Sequence, residues 1–175
     1  FDLAGEIGHM TIDLNGKKCE CGSYGCLQTV ASGPAIVEKA QHALSAGKKS
    51  KLIEMVEGDL TKLTGELIYQ AALKQDPFAI DLLEEAARYI GIGLTNLIHI
   101  VNPTKIVIGG GVSKSKQFIL GPITSTINER ALTNQAKSTQ VVITELGEYA
   151  TVLGAVALIL TELFNPSSMA AATDK

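Results

Sequence analysis

Cys19-Glu20-Cys21-Gly22-Ser23-Tyr24-Gly25-Cys26 holds every cysteine of the chain within eight positions, and His9, one of three histidines, stands ten residues before it. Three thiolates and one imidazole are a complete tetrahedral set for zinc, with no vacant position for water. Gly22 and Gly25 permit the tight, partly left-handed turns that fold a short loop's sulfurs inward. A closed site of this kind builds structure and performs no hydrolysis. A disulfide reading leaves an odd thiol and needs an oxidising compartment, for which no signal segment argues. Three reduced, unliganded cysteines are the bland alternative, and their crowding argues against it. His9, Cys19, Cys21 and Cys26 are therefore the expected metal ligands, in a zinc loop over residues 9–26.

Around this loop, 175 residues suffice for one domain with a real core and are too few for two comfortable ones. The apolar fraction is 46 %, the aromatic fraction 5 %, and Trp is absent, so Val, Ile, Leu and Ala are expected to fill the interior. No uninterrupted apolar run reaches the length a bilayer requires, which excludes a spanning helix and makes a cytoplasmic location the expectation. A net charge of −3 argues against a broad nucleic-acid surface. Lys48, Lys49 and Lys51 form one basic cluster, expected to be a solvated turn. Phe1 is not an initiator Met and no targeting segment precedes Ala4, so the chain reads as a piece of a longer protein.

Strands alternate with helices along the chain. Met10 to Leu14 reads as a short strand turned by Asn15-Gly16. Ser32-Gly33-Pro34 opens a helix that Ala46-Gly47 ends, with Ile36, Val37, Ala40 and Leu44 on its apolar face. A short segment near Leu52 to Val56 and a helix from Gly65 to Lys74 follow. Asp76-Pro77 opens a long helix from about Phe78 to Ile100. Ile80, Leu83, Ala87, Ile90, Leu94, Leu97, Ile98 and Val101 mark it as central. Gly91 and Gly93 inside it cost about 1 kcal/mol of helix propensity each, which predicts a close-packed neighbour there. Thr104 to Ile108 is a β-branched run that reads as a strand buried on both faces. A helix from Pro122 to Leu132, a strand from Gln140 to Leu146 and a helix from Tyr149 to Phe164 complete an α/β layer with some parallel pairing. Residues 165–175 are small and polar and are expected to form a mobile tail.

Gly109-Gly110-Gly111 follows the buried strand, where a backbone without Cβ atoms can approach a flat ring or a phosphate. No Lys-Ser or Lys-Thr pair follows at Walker spacing, which excludes a P-loop. The triplet alone is equally compatible with a tight turn. Glu6 and His9 flank Gly8, and a carboxylate beside an imidazole can grip sugar hydroxyls by accepting and donating. A surface Glu beside a His engaged only with metal is the competing reading. Gln28, taken alone, is an ordinary exposed amide, and His42 and His99 read as structural or solvated.

Gly5-Glu6-Ile7-Gly8-His9, the Cys19–Leu27 loop and Ile106-Val107-Ile108-Gly109-Gly110-Gly111-Val112 together resemble the ROK family of bacterial sugar kinases and sugar-responsive repressors. Asn102-Pro103-Thr104 and Ala150-Thr151-Val152-Leu153-Gly154-Ala155 are also similar to it. The resemblance implies an actin-like ATPase (ribonuclease H-like) fold, with residues 1–164 as the second lobe of two. It implies that His9 and the three cysteines hold zinc, and that Glu6, His9 and Gln28 surround a monosaccharide. It places Gly109, Gly110 and Gly111 beside the adenosine of ATP in members that bind nucleotide. Gln28 stands where a Glu is usual, keeping hydrogen-bonding capacity and losing charge.

Two expectations follow. The first is the sugar-sensing, zinc-containing lobe of a ROK transcriptional repressor, which would reach DNA only through an absent N-terminal domain. The second is the same lobe of an ATP- and Mg²⁺-dependent sugar kinase resembling glucokinase, with its catalytic Asp and phosphate loop in the absent first lobe. Uncharged Gln28 and the ending Thr161-Glu162-Leu163-Phe164-Asn165-Pro166, similar to xylose-repressor endings, favour the repressor. A homo-oligomer is expected under either reading.

Overall fold

A computed structural model of the chain describes residues 4–164. In chain order the elements are α1 (Gln28–Ala31), α2 (Gly33–Ser45), α3 (Leu52–Met55), α4 (Gly65–Leu73), α5 (Pro77–Val101), β1 (Lys105–Ile108), α6 (Lys116–Arg130), α7 (Asn134–Lys137), β2 (Gln140–Ile143) and α8 (Ala150–Leu163). Short 3₁₀ turns lie at Ile7–His9, Leu60–Lys62, Gly111–Ser115 and Gly147–Tyr149. The expected mobile tail, 165–175, lies outside the described residues.

The main helices begin at polar caps. Ser32 Oγ accepts from the Ala35 amide at 3.3 Å, Thr64 Oγ1 from Leu67 at 3.2 Å and Asp76 Oδ1 from Ala79 at 2.9 Å. Each satisfies one otherwise orphaned helix N–H. Asp76 is 2 % exposed and also accepts, through Oδ2, from the Lys51 amide at 2.6 Å and Ser50 Oγ at 3.1 Å. The start of α5 is thereby tied to the loop before α3.

α5 is the spine. Its first half buries Phe78, Ala79, Leu82, Leu83 and Ala86 against α2, α3 and α4, through Ile36, Ala40, Leu44, Leu52 and Ile68. Its second half buries Ala87, Leu94 and Ile98 against Ile119, Ile123 and Ile127 of α6, with Ile106, Ile108, Val141 and Ile143 of the strands alongside. The two glycines do what their propensity cost foretold. A Cβ on Gly91 would stand 2.6 Å from Thr126 Cβ and 3.1 Å from the Ile123 carbonyl oxygen, and one on Gly93 would stand 2.8 Å from Leu27 Cδ2. Val101, expected in the core, is 61 % exposed. By that point α6 has ended, and the Leu132 amide already meets His99 Nε2 at 3.1 Å.

β1 and β2 pair in parallel, Lys105 opposite Gln140 through Ile108 opposite Ile143. The expectation of burial on both faces of β1 is corrected: Ile106 and Ile108 turn toward α6, while Val107 is 57 % exposed. One face of this two-stranded sheet carries helical cover among the described residues, so a continuous apolar run is only half used. α6 begins six residues before Pro122, the position read as its start. The Ile119, Ile123 and Ile127 stripe buries continuously through the proline, so packing outweighs one lost backbone hydrogen bond. Met10 to Leu14 is not a strand, since only Thr11 pairs, in a single antiparallel bridge with Cys26. The Asp13 carboxylate accepts from the Asn15 amide at 2.9 Å and turns the chain early. α8 forms as expected, but residues 151–164 are exposed, although the helix is apolar around its circumference.

The contacts at the two notches predict unequal effects. Gly91→Ala gains about 1 kcal/mol of propensity but drives a methyl into backbone and Thr126, an overpacking cost of about 1–3 kcal/mol. Gly93→Ala meets only the flexible end of Leu27. Urea unfolding should give a lower midpoint for Gly91→Ala than for Gly93→Ala; the reverse order would contradict the packing described.

Candidate metal centre

The cysteine loop is shaped by backbone crossing. Gly25 has φ +65°, and a Cβ there would fall 1.6 Å from the Asp13 carbonyl oxygen. The Ile12 amide donates to the Gly25 carbonyl at 2.8 Å, and the Gly25 amide to the Lys17 carbonyl at 2.9 Å. At the tip the Cys19 amide donates to the Ser23 carbonyl at 2.7 Å and the Gly22 amide returns to Cys19 at 3.0 Å. Bridges Thr11–Cys26 and Lys18–Tyr24 complete a narrow antiparallel loop.

This path brings all four expected ligands together, with their donor atoms all within 4.8 Å of one another. His9 Nδ1 lies 3.6 Å from Cys19 Sγ, and Cys21 Sγ lies 3.7 Å from Cys26 Sγ. A tetrahedral zinc with ordinary bond lengths requires edges of roughly 3.6 Å for N–S and roughly 3.8 Å for S–S. The donor set and its spacing therefore fit a zinc-sized ion. Cys19 and Cys26 are buried and Cys21 is exposed. Burial pushes the Cys26 thiol up to about 11, with Cys19 and Cys21 adding to the shift. A hydrogen bond from the Ser23 backbone, with Cys19 beside it, holds Cys21 below its ordinary value. A cation bound by these sulfurs requires all three as thiolates.

The loop docks on α5. Leu27, directly after Cys26, fills the notch at Gly93. The Leu27 amide donates to the Met10 carbonyl at 2.9 Å, and Asn96 Nδ2 reaches Met10 Sδ at 3.4 Å.

Of the expected sugar-contacting residues, His9 and Gln28 converge on Cys19. Gln28 Nε2 lies 3.4 Å from Cys19 Sγ. Glu6 is exposed and opens the Ile7–His9 turn, its carbonyl accepting from the His9 amide at 3.1 Å. Gly8 of that turn faces Gln28, whose Oε1 would be 3.4 Å from a Cβ there. Gly109, Gly110 and Gly111 stand elsewhere, after β1. Gly110 has φ +76°, and Gly111 lines a cavity of about 400 Å³ with Ile36, Tyr69, Leu83, Ile90 and Lys114. One participant escaped the sequence reading: Glu20 Oε1 accepts from Gln28 Nε2 at 2.7 Å. Eight residues separate the two, and only the fold of the loop brings them together.

The family model described as "ROK family" matches residues 2–162. The chain is 40 % identical to a glucokinase of Halalkalibacterium halodurans over 87 % of its own length and 46 % of the relative's. It is 34 % identical to the DNA-binding transcriptional dual regulator NagC of Escherichia coli over 92 % of its length and 38 % of the regulator's. A solved ROK family glucokinase from Streptomyces griseus, in complex with glucose and AMPPNP, superposes with a TM-score of 0.79 at 32 % identity, covering 89 % of this chain and 51 % of that one. The chain belongs to the ROK family, and its α/β fold is of the actin-like ATPase type. It spans less than half the length of the curated relatives it matches. No helix among the described residues is long and apolar enough to cross a membrane.

The loop geometry separates two glycine substitutions. Gly25→Ala collides with Asp13 and should abolish stoichiometric uptake of zinc or cobalt. Gly22→Ala has φ +91° but open space around it, so it carries only left-handed strain of about 1–2 kcal/mol and should retain uptake. Equal metal content in the two variants would contradict the crossing described.

Proposed function

We propose that the chain is the sugar-sensing, zinc-braced second lobe of a ROK-family transcriptional repressor of carbohydrate genes. The observation that carries this reading is the convergence of His9 and Gln28 on the Cys19 sulfur. One ligand of the cluster thus fixes both the turn bearing Glu6 and the amide facing it. Zinc would be held by His9 Nδ1 and the sulfurs of Cys19, Cys21 and Cys26, supplying a closed structural brace. His9 Nδ1 is the nitrogen turned toward Cys19, which leaves Nε2 for a ligand hydroxyl. Glu6, exposed on the same turn, accepts from a second hydroxyl, and Gln28 offers a neutral group to a third. A monosaccharide suits this set, because each hydroxyl both donates and accepts.

No residue of this chain is assigned a catalytic role. Sugar binding would act by favouring one arrangement of the two lobes, and DNA affinity would follow the shifted population. The uncharged Gln28 supports sensing over phosphoryl transfer, since it weakens the grip on a hydroxyl relative to a carboxylate. Alignment with NagC over 92 % of the chain agrees with it. The kinase reading keeps two specific supports: the cavity at Gly111 is mostly apolar and large enough for a flat base, and the glucokinase relative is 40 % identical. In that case ATP and Mg²⁺ would enter, with the phosphate loop and catalytic Asp outside this chain.

Calorimetry on the intact protein tests both. Monosaccharide binding is expected, weakened about tenfold or more by Glu6→Ala, the scale of a lost hydrogen bond to a charged group at about 1.5–3 kcal/mol. No heat from AMPPNP is expected. AMPPNP binding lost on Gly111→Val would instead support the kinase, and failure of any monosaccharide to bind the metal-loaded protein would contradict both.

A further inference from the structure

Gln28 Nε2 lies 2.7 Å from Glu20 Oε1 and 3.4 Å from Cys19 Sγ. A carboxylate only accepts hydrogen bonds, so the atom facing Glu20 must be the amide nitrogen, and chemistry fixes which way the amide points. An amide nitrogen carries two N–H groups. One goes to the carboxylate and the other to the sulfur, so the donor half of Gln28 is fully committed inside the loop. Oε1 is left on the side of Gly8.

We infer that Gln28 is a positioning residue for the metal ligand Cys19, acting as one unit with Glu20. This rests on the metal-braced reading of the loop and goes beyond it by assigning the contacts outside the four ligands. A metal-bound thiolate keeps much of its negative charge, and an N–H directed at the sulfur stabilises that charge and fixes the direction of its lone pairs. Glu20 is exposed, and the Gln28 amide nitrogen bridges its carboxylate to the Cys19 sulfur. The pairing is particular to the two side chains. Gln28→Glu would bring two carboxylates within hydrogen-bonding distance of each other and replace the donor at sulfur with a lone pair. Exchanging the two, as in Glu20→Gln with Gln28→Glu, restores one donor and one acceptor between the side chains and returns no N–H to the sulfur.

The test is a double-mutant cycle read as zinc affinity, by competition with a chromophoric chelator, on wild type, Gln28→Glu, Glu20→Gln and the double variant. Gln28→Glu should bind zinc more weakly by roughly 10–100-fold, the usual scale for contacts outside the ligands. Glu20→Gln in that background removes the carboxylate pair and should recover part of the loss, the remainder reporting the N–H that Cys19 Sγ no longer receives. A second measurement reads the sulfur directly. In the cobalt-loaded chain, Gln28→Met keeps the length of the side chain and removes both N–H groups. The thiolate-to-cobalt charge-transfer band should then move to longer wavelength, which a merely space-filling role for Gln28 would not produce. Unchanged zinc affinity in Gln28→Glu, additive single effects, or a stationary cobalt band in Gln28→Met would each overturn the inference. Any of these in a wild-type chain that binds one ion would leave the metal-braced reading standing. A wild-type chain that takes up no ion would remove both.

Discussion

His9 Nδ1 and the sulfurs of Cys19, Cys21 and Cys26 meet within 4.8 Å of one another, and that meeting draws together the loop over residues 9–26. Neither hydrophobic cluster contains any residue from 4–31. The segment is kept folded by backbone hydrogen bonds where the chain crosses itself, by Leu27 in its notch, by α1 against α2 and α5, and by the contacts of His9 and the three sulfurs. A short loop with so little apolar burial would gain from a bound ion much of the rigidity that offsets its ordering entropy. Three thiols crowded around an imidazole give no such rigidity by themselves: burial pushes Cys26 up to about 11, so it stays protonated near neutrality. A bound cation would reverse this by stabilising every thiolate, and would turn the cluster into a fastening.

α5 links that fastening to the rest of the fold. Its first half is the wall for α2 and α4 and its second half the wall for α6 and the strands. Between them Gly91 admits α6 and Gly93 admits Leu27. On the proposed function, movement of the cysteine loop would reach α5 through Leu27 at Gly93 and through Met10 at Asn96, and a ligand at Glu6, His9 and Gln28 would act on those same contacts. A sensor needs a coupling of this kind between its ligand turn and a rigid element.

Much of this was legible in the sequence because the signals were local. Ser32 and Asp76 announce helices through side chains that can bond only a few residues onward, and each does so. The convergence of His9 with the three cysteines was legible because cysteine at that density has few other uses, and the glycines of α5 because their propensity cost demands a neighbour. The failures were non-local. β1 reads as buried on both faces from composition, yet which faces are covered depends on elements far along the chain. Pro122 carries a helix-start signal that the stripe of Ile119, Ile123 and Ile127 overrides. Glu20 has no sequence signal as a partner of Gln28, since their distance is set by the turn at Gly22 and the crossing at Gly25.

X-ray absorption at the zinc edge, on protein purified without added metal, tests the central claim most directly. The account predicts one zinc per chain, with three sulfurs at about 2.3 Å and one nitrogen at about 2.0–2.1 Å. A metal-free protein, or a shell of oxygen and nitrogen without sulfur, would contradict it.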